Sequence, residues 1–144
     1  MTDIVPELYK AIESSFNSRM ATDPLIRSFN KRLEDGKATS EDVSEYAGRV
    51  GECASAALIA NLKEENLPDG KLYWNIAERT IRPIFVKAHE LINDAAAKVQ
   101  TIEDEKLGLH LKPIKADFPE ERVHAIISRL VDAINELGDD NEQS

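Results

Sequence analysis

Apolar residues recur along this chain at helical spacing almost everywhere. Ile4, Leu8, Ile12, Phe16 and Met20 return every fourth position, with Val5 and Tyr9 widening the stripe, so a first helix is predicted from Ile4 onward. A second segment opens at Asp23, a residue suited to cap a helix, with Pro24 at the first helical position. It carries Leu25, Phe29 and Leu33 on one side and stops at Gly36, which can adopt the left-handed cap conformation. Pro24 can either start a helix or break one, so the pattern leaves open whether these segments form one helix or two.

The next helix is predicted to begin at Thr39 or Ser40, where Glu41 and Asp42 favour a first turn, and to run to about Glu65. Val43, Ala47, Val50, Ala54, Ala57 and Leu58 face inward. Gly48, Gly51 and Ser55 lie inside it. Each glycine costs up to ~1 kcal/mol of helix propensity, so something local should offset it. Close approach of a neighbouring helix is the simplest compensation, and a ligand cleft is the other.

Leu67-Pro68-Asp69-Gly70 reads as a turn, because Pro presets φ, Asp bonds locally and Gly closes it. The strongest helical signal follows, from Ile81 through Ile84, Phe85, Ala88, Leu91, Ile92, Ala95 and Val99 to Ile102. Pro83 lacks a backbone donor and disfavours helical geometry at Arg82, so a break or kink is expected there, separating 71–81 from 83–106. Gly108 ends that helix. Residues 107–115 read as an extended crossing segment, with Leu109, Leu111 and Ile114 tucked into the body and Lys112 and Lys115 in water. A final helix opens at Asp117, with Glu120 completing a capping-box-like start, and carries Val123, Ile126, Ile127, Leu130, Val131, Ile134 and Leu137 before Gly138 stops it. The reading is all-α: a bundle of four to six helices with one extended connector, forming a single domain over 1–138 and an acidic flexible tail over 139–144.

Composition narrows the function. Leu, Ile, Val and Phe make up 37 of 144 residues, enough for a core without staples. A net charge of −9 argues against a dedicated nucleic-acid binder held by phosphates. No apolar run approaches the ~20 residues that span a bilayer, and the N-terminus lacks a signal-peptide pattern, so no membrane partner and a cytoplasmic origin are expected. Lone Cys53 excludes an internal disulfide and a thiolate zinc site; mid-helix among small residues, it reads as a buried, inert thiol.

Catalytic constellations are missing from the pattern. His89, His110 and His124 lie beyond helical reach of one another, and His89-Glu90 has no second histidine four residues on. Glu64/Glu65, Glu103/Glu105 and Glu120/Glu121 sit at predicted helix ends, where they serve the helix dipole or solvation rather than acid–base chemistry. The sequence has no phosphate loop, nucleophile elbow or Cys–His pair. No enzyme, cofactor or metal is expected. Arg79 and Arg82 share a helical face and could meet a phosphate or an acidic partner, although solvated arginines are the plainer reading; Lys87 adds to the local positive balance. Tyr73 and Trp74 follow the turn, as a core plug or an interface anchor.

Three stretches together carry a more specific signal: Leu67-Pro-Asp-Gly-Lys-Leu-Tyr-Trp-Asn-Ile-Ala-Glu-Arg-Thr-Ile-Arg-Pro83, Ala88-His-Glu-Leu-Ile-Asn-Asp-Ala-Ala-Ala-Lys-Val-Gln100 and Leu107-Gly-Leu-His-Leu-Lys-Pro-Ile-Lys-Ala-Asp-Phe-Pro-Glu-Glu-Arg-Val-His-Ala-Ile-Ile127. In this order they resemble the N-terminal region of the minor head proteins of tailed phages and prophages of Gram-positive bacteria, over roughly residues 40–135. The resemblance implies a head structural or head-morphogenesis protein, found in the host cytoplasm during assembly and then in the virion head near the portal. Its partners would be portal or capsid proteins, with room for a homo-oligomer, and it has no catalytic residues in this region. Relatives of this kind continue into a second half with a Cys/His cluster, for which these 144 residues have no counterpart. The candidate interface is Tyr73, Trp74, Arg79, Arg82, Leu109, Lys112 and Lys115. The alternative from composition alone is a soluble helical adaptor or regulator unrelated to virions.

Overall fold

The computed structural model describes residues 3–143, with side chains through Glu136. Five helices follow in order: α1 (Val5–Thr22), α2 (Pro24–Glu34), α3 (Ser40–Asn61), α4 (Trp74–Lys106) and α5 (Glu120–Gln143). No strand occurs among the described residues. The fold is an all-α bundle, as the periodicity requires.

Pro24 starts a helix rather than extending one. Asp23 leaves helical dihedrals (φ −71, ψ 122) and its Oδ1 accepts from the Leu25 and Ile26 N–H groups at 3.0 Å each. Its second oxygen accepts from Arg49 Nε of α3 at 3.0 Å, which ties the α1–α2 corner to the next helix. Helix α2 faces inward through Ile26 and Phe29; Leu25, expected on the inner side, is 53% exposed. Lys37 N–H bonds the Arg32 carbonyl around Gly36, whose φ of +71 is the cap geometry expected of it. Thr39 and Asp42 then form a reciprocal capping box for α3. That helix ends at Asn61, before the expected Glu65, where Asn61 Nδ2 turns back to the Ala57 carbonyl and 3₁₀ turns take over. In the following turn Asp69 and Gly70 both adopt left-handed φ (56 and 70), and Asp69 accepts the Tyr73 hydroxyl at 3.2 Å.

Of the break or kink expected at Pro83, the break does not occur. Helix α4 runs 33 residues without interruption, roughly 50 Å at helical rise. Packing decides this. Thr80, Ile81 and Ile84, on either side of the proline, are fully buried, as are Ala77 before them and, nearly so, Ala88 after them. Two buried isoleucines contribute about 1.5–3 kcal/mol each, enough to offset the ~3 kcal/mol of an interior proline. Among the described residues Thr80 is the one fully buried polar residue, and its hydroxyl donates to the Ile76 carbonyl at 2.8 Å. Helices α1, α3 and α5 all pack on α4. Phe16 and Ile12 of α1, Val50, Ala54, Ala57 and Leu58 of α3 and Ile127 of α5 complete the core. Tyr46, an inward position absent from the expected stripe, stacks on Phe29 with centroids 4.5 Å apart.

Helix α5 starts at Glu120, not Asp117. Phe118 and Pro119 occupy the entry, and Val123 N–H bonds the Pro119 carbonyl at 3.0 Å. It continues past Gly138 to Gln143, so that glycine is not its stop. The backbone of 139–143, expected as part of a flexible acidic tail, continues the helix, while the side chains from Leu137 onward and residue 144 lie outside the described residues.

Two predictions follow from the fold. Pro83→Ala restores a backbone donor for the Arg79 carbonyl inside an intact helix and should raise unfolding stability by about 1–3 kcal/mol in denaturant titrations. The second concerns pH. Arg49, then the Ile26 N–H, holds the Asp23 carboxyl below its ordinary value of 3.8; the Thr39 N–H and Arg32 do the same for Asp42, and Arg79 and the Val5 N–H for Asp3. With folded values below unfolded ones, their stabilisation is complete above about pH 5 and is lost as pH falls through the depressed range. The melting temperature should therefore drop steeply below about pH 4, and Asp23→Asn should show a lower neutral-pH melting temperature with a shallower acid limb.

Candidate functional site

Two surface features converge where α3, α4 and α5 meet. The first is a groove of about 780 Å³. Its floor is Phe85, Ala88, His89 and Ile92 of α4; one wall is Gly48, Gly51, Glu52, Ser55, Ala56 and Ile59 of α3. Phe118, Pro119, Arg122, Val123 and Ile126 form the other wall. The helix glycines expected to admit a close neighbour have none: a Cβ built at Gly48 or Gly51 meets nothing within 4 Å. What their missing side chains open is the groove, so the cleft alternative describes these positions. Ile59 stands at its lip, 64% exposed.

The second feature is the connector. Its apolar residues do not tuck in: Leu107, Leu109, Leu111 and Ile114 are 73%, 42%, 62% and 80% exposed, and Lys112 and Lys115 are exposed beside them. The reason lies in what attaches the segment. Helix α4 presents polar amides to it, not an apolar stripe. Gln100 Oε1 accepts from Ile114 N–H at 3.1 Å while its Nε2 donates to the Lys112 carbonyl at 3.2 Å. Asn93 does likewise with Ala116, at 3.3 and 3.1 Å. His89 Nε2 lies 2.9 Å from the same Ala116 carbonyl, and its ring meets Phe118 edge-on. These positions share one face of α4, spaced four and seven residues apart, and run antiparallel to the connector. Backbone is thus drawn to the helix and the aliphatic side chains are left in water.

A third amide works in the same way. Asn135 of α5 accepts from Leu72 N–H at 2.8 Å and donates to the Leu72 carbonyl at 3.1 Å, which holds the start of α4 against α5. None of these amides was singled out by sequence pattern. Asn and Gln at helical positions carry no periodic signal, and only the extended Lys-Pro-Ile-Lys run they grip hinted at a backbone needing partners.

The other sequence candidates separate. Tyr73 and Trp74 are 47% and 41% exposed, and Trp74 rests edge-on against His124 with centroids 5.0 Å apart, so neither is a core plug. Arg79 and Arg82 do not act as a shared cationic face, because each is paired within the fold. Arg79 meets Asp3 at 2.7 Å; Arg82 meets Glu78 at 2.7 Å and Glu120 at the start of α5. Lys87 lies 3.5 Å from Glu13 and 5.9 Å from the Phe16 ring centre. Cys53 is buried, and burial pushes its thiol up, away from a reactive thiolate. Among the described residues no three acids, histidines or cysteines cluster as metal ligands, and no helix is long and apolar enough to cross a membrane. Comparison with protein-family models, curated proteins and solved structures returns no match for this chain.

The amide contacts make a prediction. Asn93→Ala and Gln100→Ala each remove two backbone bonds of about 1 kcal/mol apiece. Hydrogen exchange at the Ile114 and Ala116 amides should accelerate about tenfold or more, with little change at Val50 or Ile81.

Proposed function

We propose that this chain is a structural or head-assembly component of a phage or prophage head, acting through protein–protein interfaces and not through catalysis. The observation that carries the reading is where the three resembling stretches fall. His89, Asn93 and Gln100 of the second grip the backbone of the third at Lys112, Ile114 and Ala116. The first supplies the turn and the exposed Tyr73 and Trp74 at the other end of the same helix. Residues quoted for the resemblance thus hold two exposed regions, an aliphatic one on the connector and an aromatic one at the start of α4. The connector's run of exposed Leu107, Leu109, Leu111 and Ile114 is the kind of apolar exposure that marks an interaction site. Portal or capsid proteins are the partners proposed, and the virion head the location.

A helical adaptor of another system is the second reading, favoured by the open apolar groove between α3 and α5, which suits an amphipathic partner. Mass spectrometry of purified particles separates the two. The head reading expects this polypeptide, or a longer one containing it, in the particle; recovery only in soluble host fractions, bound to a non-virion protein, favours the adaptor. Trp74→Ala should reduce particle incorporation by an amount typical of an aromatic anchor, about 2 kcal/mol or roughly thirtyfold in affinity, while the isolated chain keeps its helical spectrum.

A further inference from the structure

The groove and the connector are unsatisfied in complementary ways. Residues 107–116 hold two lysines and no acid, so in a chain of net charge −9 the remainder carries −11. Most contacts between two copies therefore repel, but the connector is attracted to the body of another copy. Its aliphatic row, Leu109 to Ile114, extends over roughly 16 Å at strand rise. The α3 wall of the groove, Gly48 to Ile59, spans about the same length at helical rise. Glu52 at the α3 lip is paired with Arg49 and Arg122 stands on the opposite wall, so the groove itself is close to charge-balanced and what it offers the connector is apolar surface.

We propose that the groove of one copy receives the connector of a second, with Leu109, Leu111 and Ile114 seated over Gly48 and Gly51. The connector is already extended and held on its inner edge by Asn93 and Gln100, so little ordering entropy opposes docking. Donor and acceptor surfaces differ, so the contact is head-to-tail. It leaves a free connector at one end and a free groove at the other until a ring closes. Self-association of this kind is independent of whether the chain serves in a phage head.

Two variants isolate the two surfaces. Leu109→Asp with Leu111→Asp spoils the connector at exposed positions, which leaves the fold intact. Gly51→Leu fills the groove; the site has open space and helical geometry, so the monomer should melt no lower than the parent. Sedimentation from about 1 µM to about 1 mM covers the affinities of small, reversible interfaces. The parent chain should gain mass with concentration beyond a dimer or to a closed ring. Each variant alone should stay monomeric with a parental far-ultraviolet spectrum. Mixed in equal amounts they should form a 1:1 complex and nothing larger, because one intact connector meets one intact groove. A parent that remains monomeric over the whole range, a Gly51→Leu chain that associates like the parent, or a mixture with no complex would each overturn the proposal.

Discussion

Continuity of α4 through Pro83 is the constraint on which the rest of the molecule depends. One 33-residue rod provides the faces against which α1, α3 and α5 pack and the polar edge to which the connector is fixed. A proline at this point withdraws a backbone hydrogen bond and crowds the preceding turn. The helix survives because Ala77, Thr80, Ile81 and Ile84 are sealed in the core, and a break there would expose them. Arg82 strengthens the same place from outside, bridging Glu78 one turn back to Glu120 at the start of α5. Tertiary burial therefore sets the shape of this helix over the objection of its own local sequence.

The legible part of the fold was whatever depends on period and caps. The α1 stripe, the Asp23 cap, the Thr39 start and the Gly36 stop all follow from residue types at fixed offsets, and all are present. The features missed are those in which a long-range partner outweighs a local rule. Pro83 has a local signature for a break and a non-local reason not to break. Leu109, Leu111 and Ile114 are aliphatic, which predicts burial, but their backbone is taken by Gln100 and Asn93 from a helix no periodicity could associate with them. Gly48 and Gly51 were recognised as positions needing compensation; whether a helix or empty space stood opposite depends on where α5 lies, which no local pattern states. The candidate site was legible in the same uneven way. Tyr73, Trp74, Leu109, Lys112 and Lys115 are at the surface, whereas Arg79 and Arg82 are committed to acids of the fold itself, Asp3 before α1 and Glu120 before the body of α5.

Polar side chains are used economically and for attachment. Each of three amides satisfies both a backbone donor and a backbone acceptor of a non-helical segment, a substitute for the sheet partner such a segment would otherwise require. Every buried side-chain polar atom among the described residues has a hydrogen-bond partner. The half-buried amides are thereby used to position segments.

The Asn135–Leu72 clasp has a mechanical corollary. It joins residues 63 positions apart through two hydrogen bonds, so the chain between them forms a closed circuit with no covalent crosslink. Separating α5 from α4 has to part these two bonds together with the buried Val123 and Ile127 and the Arg82–Glu120 pair, so contacts of unlike chemistry close the circuit at several points along the two helices.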